Sequence, residues 1–276
     1  MIRKRVLFFS FCLIALAADA QAGLDDIYAA NDLFLIQAGF TNVDYREYGN
    51  GYLGSATGLL DQETGPVPGI SVAASGIMRD ANNLYWQAGY SYSSGHTNYT
   101  GSVQGGAFGS YVGASSAVME DYGARIGKAF AVRDAYMLIP YFELGSHEWE
   151  RGVNYGEVYS HYYYGPGLMV QGSPAERVVL SFNALYGRTA GANIVVASGP
   201  LLNGFSGALG NSTLSRLGIT ADYAFNSELH GNAAIEYTRF RYGMSAAFPV
   251  GGNMVAWEPD SATRYVVFKV GLGVAF

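Results

Sequence analysis

Tyr265-Val266-Val267-Phe268-Lys269-Val270-Gly271-Leu272-Gly273-Val274-Ala275-Phe276 is the stretch whose reading decides the fold. Val266, Phe268, Val270, Leu272, Val274 and Phe276 form one unbroken apolar row. Tyr265, Val267, Lys269, Gly271, Gly273 and Ala275 form the other, which is smaller and less apolar. A period of two sustained over this length is a β-strand. One wholly apolar face, backed by a face with a lysine and two glycines, suits a strand between lipid and a packed or wet interior.

The same alternation recurs upstream. Leu84, Trp86, Ala88, Tyr90 and Tyr92 share a face, and Tyr85, Gln87, Gly89, Ser91 and Ser93 share the other. Nine further strands are predicted, at 33–45, 69–78, 84–94, 118–130, 136–147, 157–171, 176–188, 212–225 and 229–242. Between them, long connections (46–68, 95–116, 148–156, 189–211, 243–262) alternate with tight turns (79–83, 132–135, 172–175, 226–228). Sorting long loops to one end and tight turns to the other is the layout of a closed antiparallel transmembrane β-barrel. The count is ten strands, with eight or twelve as alternatives. Pro140 lies inside a predicted strand and removes a ladder hydrogen bond, so a bulge or weakened pair is expected there. The apolar segment Ile194–Ala197, with Leu201-Leu202, is expected to form a short lid or helix, or to fold into the barrel mouth.

Composition agrees with a barrel. The 276 residues are 50% hydrophobic and 14% aromatic, with 22 Tyr and 37 Gly. After residue 22 no run approaches the roughly 20 apolar residues of a spanning helix. In lipid, free N–H and C=O groups find no partner, so a spanning sheet must close on itself. At the start, Met1-Ile2-Arg3-Lys4-Arg5 is followed by an apolar run from Val6 to Ala18 and by Ala20-Gln21-Ala22. A basic head, a short apolar middle and an Ala-x-Ala end predict a signal peptide over 1–22. Residues 23–276 are then one barrel domain. That cleavage removes Cys12, the one cysteine, so no disulfide is expected. Three of the 16 Lys and Arg but one of the 22 Asp and Glu lie in 1–22, so the remainder is more acidic than the −6 of the whole chain. Such a surface does not suit nucleic acid.

With these features the chain resembles small bacterial outer-membrane β-barrels of the OmpA-like and opacity-type (porin-related) kind. Phe276, with Phe268, Val270, Leu272 and Val274 before it, resembles the signal read by the barrel assembly machinery. The resemblance implies the outer membrane of a Gram-negative bacterium and a monomer. Its implied partners are periplasmic chaperones, the assembly machinery, membrane lipid and lipopolysaccharide. No cofactor or metal is implied.

The rows expected to face inward carry Asp121, Arg125, Glu143, Arg177, Arg216, Asp222, Glu236 and Lys269. Unpaired buried charges are costly, so these are expected to pair into networks that replace an apolar core. The alternative is a charged constriction in a narrow porin-like channel for small solutes. His96, His147 and His161 fall near the outer strand ends, in the neighbourhood of Asp44, Glu148, Glu150 and Glu157. An outer-membrane hydrolase would set an acid–histidine pair at such a rim. No serine stands in a strained elbow motif, however, and the chain is expected not to be an enzyme. Arg239 and Arg241, at the upper end of their strand, are expected to meet headgroup phosphate. The favoured role is structural or surface-recognising, with the channel as alternative and the rim hydrolase behind both.

Overall fold

A computed structural model describes residues 23–102, 107–200 and 203–276. The predicted signal peptide and Leu201-Leu202 lie outside the described residues. Ten long strands form the wall: β1 (Leu33–Asn50), β2 (Thr57–Met78), β3 (Leu84–Gly101), β4 (Tyr111–Lys128), β5 (Tyr136–Arg151), β6 (Glu157–Ala175), β7 (Val178–Val196), β8 (Thr213–Ala224), β9 (Leu229–Tyr242) and β10 (Asp260–Ala275). Each pairs antiparallel with the next, and β10 pairs with β1, so the sheet closes. The opening stretch is the closing strand. Phe268 stands opposite Phe40 on β1 and opposite Ile235 on β9.

The exterior is apolar where a soluble protein would be polar. Ile36, Ile70, Ile126 and Ile219 are all more than half exposed, at 55%, 62%, 57% and 57%. Phe268, Val270, Leu272, Val274 and Phe276 belong to this exposed surface. Exposed tyrosines border it above, at Tyr122, Tyr162, Tyr164 and Tyr186. Aromatics border it below, at Phe130, Tyr136, Tyr223 and Phe225. Tyrosine rings prefer the boundary between acyl chains and water, so the two borders mark the lipid interfaces.

The strands outrun the lipid. β1 has 18 residues and β2 has 22, whereas roughly 9–11 residues cross a bilayer. Past the upper tyrosines the outward side chains turn polar: Asp44, Arg46, His96, Glu148, Glu150, Arg188, Arg239, Arg241 and Arg264. The wall therefore projects from the membrane on the side of the long connections.

This projection corrects the predicted loops. Most of 46–68, 95–116 and 189–211 is strand. Hydropathy loses its period above the lipid, because both faces are polar there, while the backbone ladder continues. Residues 193–196 belong to β7 and pair with the short strand Phe205–Ala208, so the apolar segment is a hairpin and not a helix. Within 243–262, Phe248–Gly251 pairs with Met254–Ala256 as a separate small sheet. The turn placed at 172–175 lies two residues later, where Arg177 takes a left-handed φ of 64°. Arg177 is exposed in that turn and is not a lumen charge.

Proline breaks the ladder without shifting it. β4 pairs with β5 up to Gly127 opposite Tyr141, and pairing resumes with the short strand Phe130–Arg133 at Phe130 opposite Leu138. The gap falls at Pro140, as its missing N–H requires. A similar gap separates Thr64/Asn98 from Gly69/Ser93 between β2 and β3, where Pro66 and Pro68 sit.

One short helix, α1 (Leu24–Ala29), lies at the end of the tight turns. Ile27 is fully buried. Asn31 donates to the Ile27 carbonyl at 2.7 Å and to Gln171 Oε1 on β6 at 2.8 Å. Ser173 Oγ donates to Asp26 at 3.1 Å. Helix and tether are thus held against β5, β6 and β7 at that mouth of the barrel.

Candidate functional site

The lumen is filled in floors, each built by inward side chains at alternate positions of neighbouring strands. Above α1, a pair made by Asp222 on β8 and His230 on β9 is 2.6 Å apart and almost wholly buried. His230 Nε2 and Asp222 Oδ2 have no hydrogen-bond partner.

Higher up stands a four-charge network. Arg125 Nε on β4 meets Glu143 Oε2 on β5 at 2.7 Å. Arg216 on β8 binds the other oxygen of Glu143, and its Nε lies 3.3 Å from Glu236 Oε1 on β9. Tyr163 donates to Glu143 at 3.1 Å. Glycines make room for the rings. A Cβ at Gly145 would meet the Tyr163 ring, and one at Gly167 would meet the ring of Tyr141. Glu143 is 2% exposed and balances two guanidiniums, whereas Glu236 is 29% exposed. Glu143→Gln should therefore destabilise the folded barrel by roughly 2–3 kcal/mol, the cost of stranding buried charged donors. Glu236→Gln should cost less. Urea midpoints of the two variants, followed by the gel shift of the folded form, check the order.

Beside this network lies a chamber of about 290 Å³. Gln37, Ser71, Ser91, Asn232 and Lys269 contribute to its lining, together with Asp121 and the network above. Gln37 accepts from Ser71 at 3.2 Å and donates to Asn232 at 2.7 Å.

The next floor is aromatic. His147 Nδ1 on β5 lies 2.7 Å from Asp121 Oδ1 on β4, and its Nε2 lies 3.2 Å from the Tyr265 hydroxyl on β10. β5 and β10 are five strands apart in a ring of ten, so this contact crosses the whole lumen. His161 Nδ1 meets the Tyr242 hydroxyl at 2.7 Å, with Phe240 packed against both histidines.

The top floor stands in the projecting part of the wall. Arg151 is fully buried at the end of β5. Its guanidinium donates to Glu47 at 2.8 Å, Asp61 at 3.1 Å, Glu63 at 2.8 Å and Glu157 at 2.9 Å. The Tyr45 hydroxyl on β1 donates to Tyr159 on β6 at 3.0 Å, again between strands five apart. Tyr159 in turn donates to Glu258, just before β10. Trp149 packs edge-on against Tyr45, with centroids 5.0 Å apart.

Four carboxylates thus share one buried arginine, with Glu258 close by on Tyr159, and they cannot all carry charge. Burial, then the neighbouring Glu47, push Asp61 and Glu258 well above the usual carboxylate range. Burial also raises Glu157 against the pull of Arg151. Burial acts to raise Glu47 as well, but Arg151 and hydrogen bonds from its neighbours outweigh it and hold Glu47 below its ordinary value. Arg151 thus holds Glu47 in its charged form, while burial favours the protonated forms of Asp61, Glu157 and Glu258 around it.

Of the inward charges expected from sequence, Asp121, Arg125, Glu143, Arg216, Asp222, Glu236 and Lys269 point into the lumen, and Arg177 does not. The proposed rim pairs of histidine and acid do not form. His96 faces outward, while His147 and His161 lie inside. The Arg151 floor was hidden in predicted loops. Its trace is a repeat of polar and aromatic residues two apart: Tyr45 and Glu47, Asp61 and Glu63, Trp149 and Arg151, Glu157 and Tyr159. Among the described residues, no group of three or more His, Cys, Asp or Glu is arranged to hold a metal ion.

No family model and no curated protein matches the chain significantly. Solved structures do. The outer membrane protease OmpT from Escherichia coli aligns with TM-score 0.60 at 11% identity, over 89% of this chain and 97% of that one. The Pseudomonas putida toluene transporter TodX aligns with TM-score 0.37 at 10% identity, over 94% and 92%. The translocator domain of the autotransporter NalP from Neisseria meningitidis aligns with TM-score 0.36 at 12% identity, over 92% and 92%. At 11% identity the likeness to OmpT is one of fold, that of a bacterial outer-membrane β-barrel. With its exposed apolar belt, this chain is built for that membrane.

Proposed function

We infer that the chain is a sealed, non-enzymatic outer-membrane barrel with a structural or surface-recognising role. The observation that carries this reading is the pair of hydrogen bonds spanning the full lumen, Tyr45 to Tyr159 and His147 to Tyr265. A pore needs a continuous wet path. Here the path is crossed twice by side chains, and α1 stands at the other mouth. The His147–Asp121 pair lies beneath the buried Arg151 floor, out of reach of a large substrate.

The outer rim presents what a recognising surface needs. Tyr52, Leu53, Tyr155, Met254 and Val255 are exposed on the connections above the projecting wall, and Tyr111 and Val112 at the upper end of β4. Exposed aromatic and aliphatic side chains on loops held by a rigid scaffold are common in binding surfaces.

A narrow porin-like channel is the second reading. It is favoured by the polar chamber of about 290 Å³ and by Lys269 in its lining, which has no ion pair among the described residues. Planar-bilayer conductance of the refolded full-length mature protein separates the two. A folded sample is expected to give no steady open level. Discrete, reproducible levels with ion selectivity would overturn the sealed reading in favour of the channel.

A further inference from the structure

The outer wall just above the lipid is electrically divided. On one side, Arg188 (β7), Arg239 (β9) and Arg264 (β10) occupy the next outward positions above Tyr186, Tyr237 and Val266 in turn. Arg239 stands directly opposite Arg264. One step higher, Ala262 stands opposite both Arg241 on β9 and Arg46 on β1. On the far side of Arg241, Thr213 stands opposite Arg188. Along this upper row the order is arginine, small residue, arginine, small residue, arginine. The small residues leave clefts between the long side chains.

Among the described residues, Asp44 is the one carboxylate ion-paired with any of these five arginines. Asp44 binds Arg46 at 2.9 Å and Arg264 at 3.2 Å. No ion pair to Arg188, Arg239 or Arg241 occurs among the described residues. Like charges directly opposite on paired strands are destabilising unless an anion neutralises them. The opposite wall has the reverse sign. Glu120 on β4 stands directly opposite Glu148 on β5, with Glu150 beyond.

We propose that the arginine wall across β7–β10 and β1 is a binding site for the phosphorylated headgroup of an outer-leaflet lipid, whose acyl chains lie on the apolar rows beneath it. The height fits, because headgroup phosphates lie just beyond the acyl region, at the level of the first polar residues above the tyrosine border. The chemistry fits, because planar guanidiniums grip phosphate oxygens in pairs and are less strongly hydrated than ammonium groups. All five cations are arginine. The apolar surface continues unbroken below them through Tyr237, Leu217, Val266 and Phe268, so one amphipathic molecule can cover both parts.

The test uses the full mature protein folded in neutral detergent. The probe is purified lipopolysaccharide carrying both lipid A phosphates, compared with the same material after phosphatase treatment. Binding is read by thermophoresis, and the unfolding midpoint is read by the gel shift of the folded form. Each arginine near an anionic lipid surface is worth about fivefold in affinity. The R239Q/R241Q/R264Q variant should therefore bind on the order of 100-fold more weakly. The R239K/R241K/R264K variant keeps the charge but not the planar fork, so it should bind between the wild type and the glutamine variant, which separates charge from folding. E148Q/E150Q, on the opposite wall, should not weaken binding. Equal binding of the dephosphorylated lipid, or wild-type affinity in a folded triple glutamine variant, would overturn the proposal.

Discussion

Replacing Arg151 with alanine lowers the unfolding free energy of the barrel by roughly 3–5 kcal/mol, the usual cost of removing one partner from a buried ionic cluster. The loss is more than that of one contact. Glu47, Asp61, Glu63 and Glu157 all accept from this guanidinium, and three aromatic rings pack around it. In the variant, Glu47 remains as a charge in a dry cavity with no counter-ion. The defect therefore shrinks in acid, where Glu47 takes up a proton. Urea unfolding of refolded protein at neutral and acid pH measures both quantities. A variant as stable as the wild type at neutral pH would mean that water reaches this floor and screens it.

The second large effect is on pH. Asp61, Glu157 and Glu258 have folded-state pKa values above their ordinary ones. For a carboxyl raised in this way, the folded state binds more protons than the unfolded state between about pH 4 and the raised value. Stability in that window falls as pH rises, by about 1.4 kcal/mol per pH unit for each proton in difference. Glu47 has the opposite sign. Its lowered pKa contributes stability that is present above its unfolded value and lost as pH falls through the folded value. The two trends together place maximum stability on the acid side of neutrality. Urea midpoints taken from pH 4 to 9 should fall towards alkali. Glu258→Gln should flatten that slope, because it removes one titrating carboxyl while keeping a polar group beside Tyr159 and Tyr45. A profile for Glu258→Gln parallel to wild type would show that Glu258 is not among the proton holders.

The lipid-crossing part of each strand was plain in the sequence for one reason. A barrel in lipid turns its apolar row outward along its full crossing length, so rows such as Phe34, Ile36 and Phe40 or Leu217, Ile219 and Tyr223 stand out against polar or small neighbours. The strand at 229–242, which is β9, and the closing strand β10 beside β1 follow from that contrast. The inward charges were legible too, since a charged residue alternating with lipid-facing ones has only the lumen to enter. Arg177 misled because the turn was placed two residues early, which moved it from the turn into a strand.

Above the membrane the contrast vanishes. Glu47, Asp61, Glu63 and Arg151 lie on strands with polar residues on both faces, and hydropathy gives such strands no period. Nor could the pairs have been chosen from a one-dimensional reading. Arg151 and Glu47 are 104 positions apart. Tyr45 and Tyr159 are 114 apart.

By itself the amino-acid sequence determined that this chain forms a closed antiparallel sheet with an apolar belt, because a backbone in lipid admits no open edge and the belt is written in every second residue. The tertiary structure alone decided which inward side chains meet across the lumen. That is set by strand number and register together. In a ring of ten, β1 faces β6 and β5 faces β10, which brings Tyr45 to Tyr159 and His147 to Tyr265.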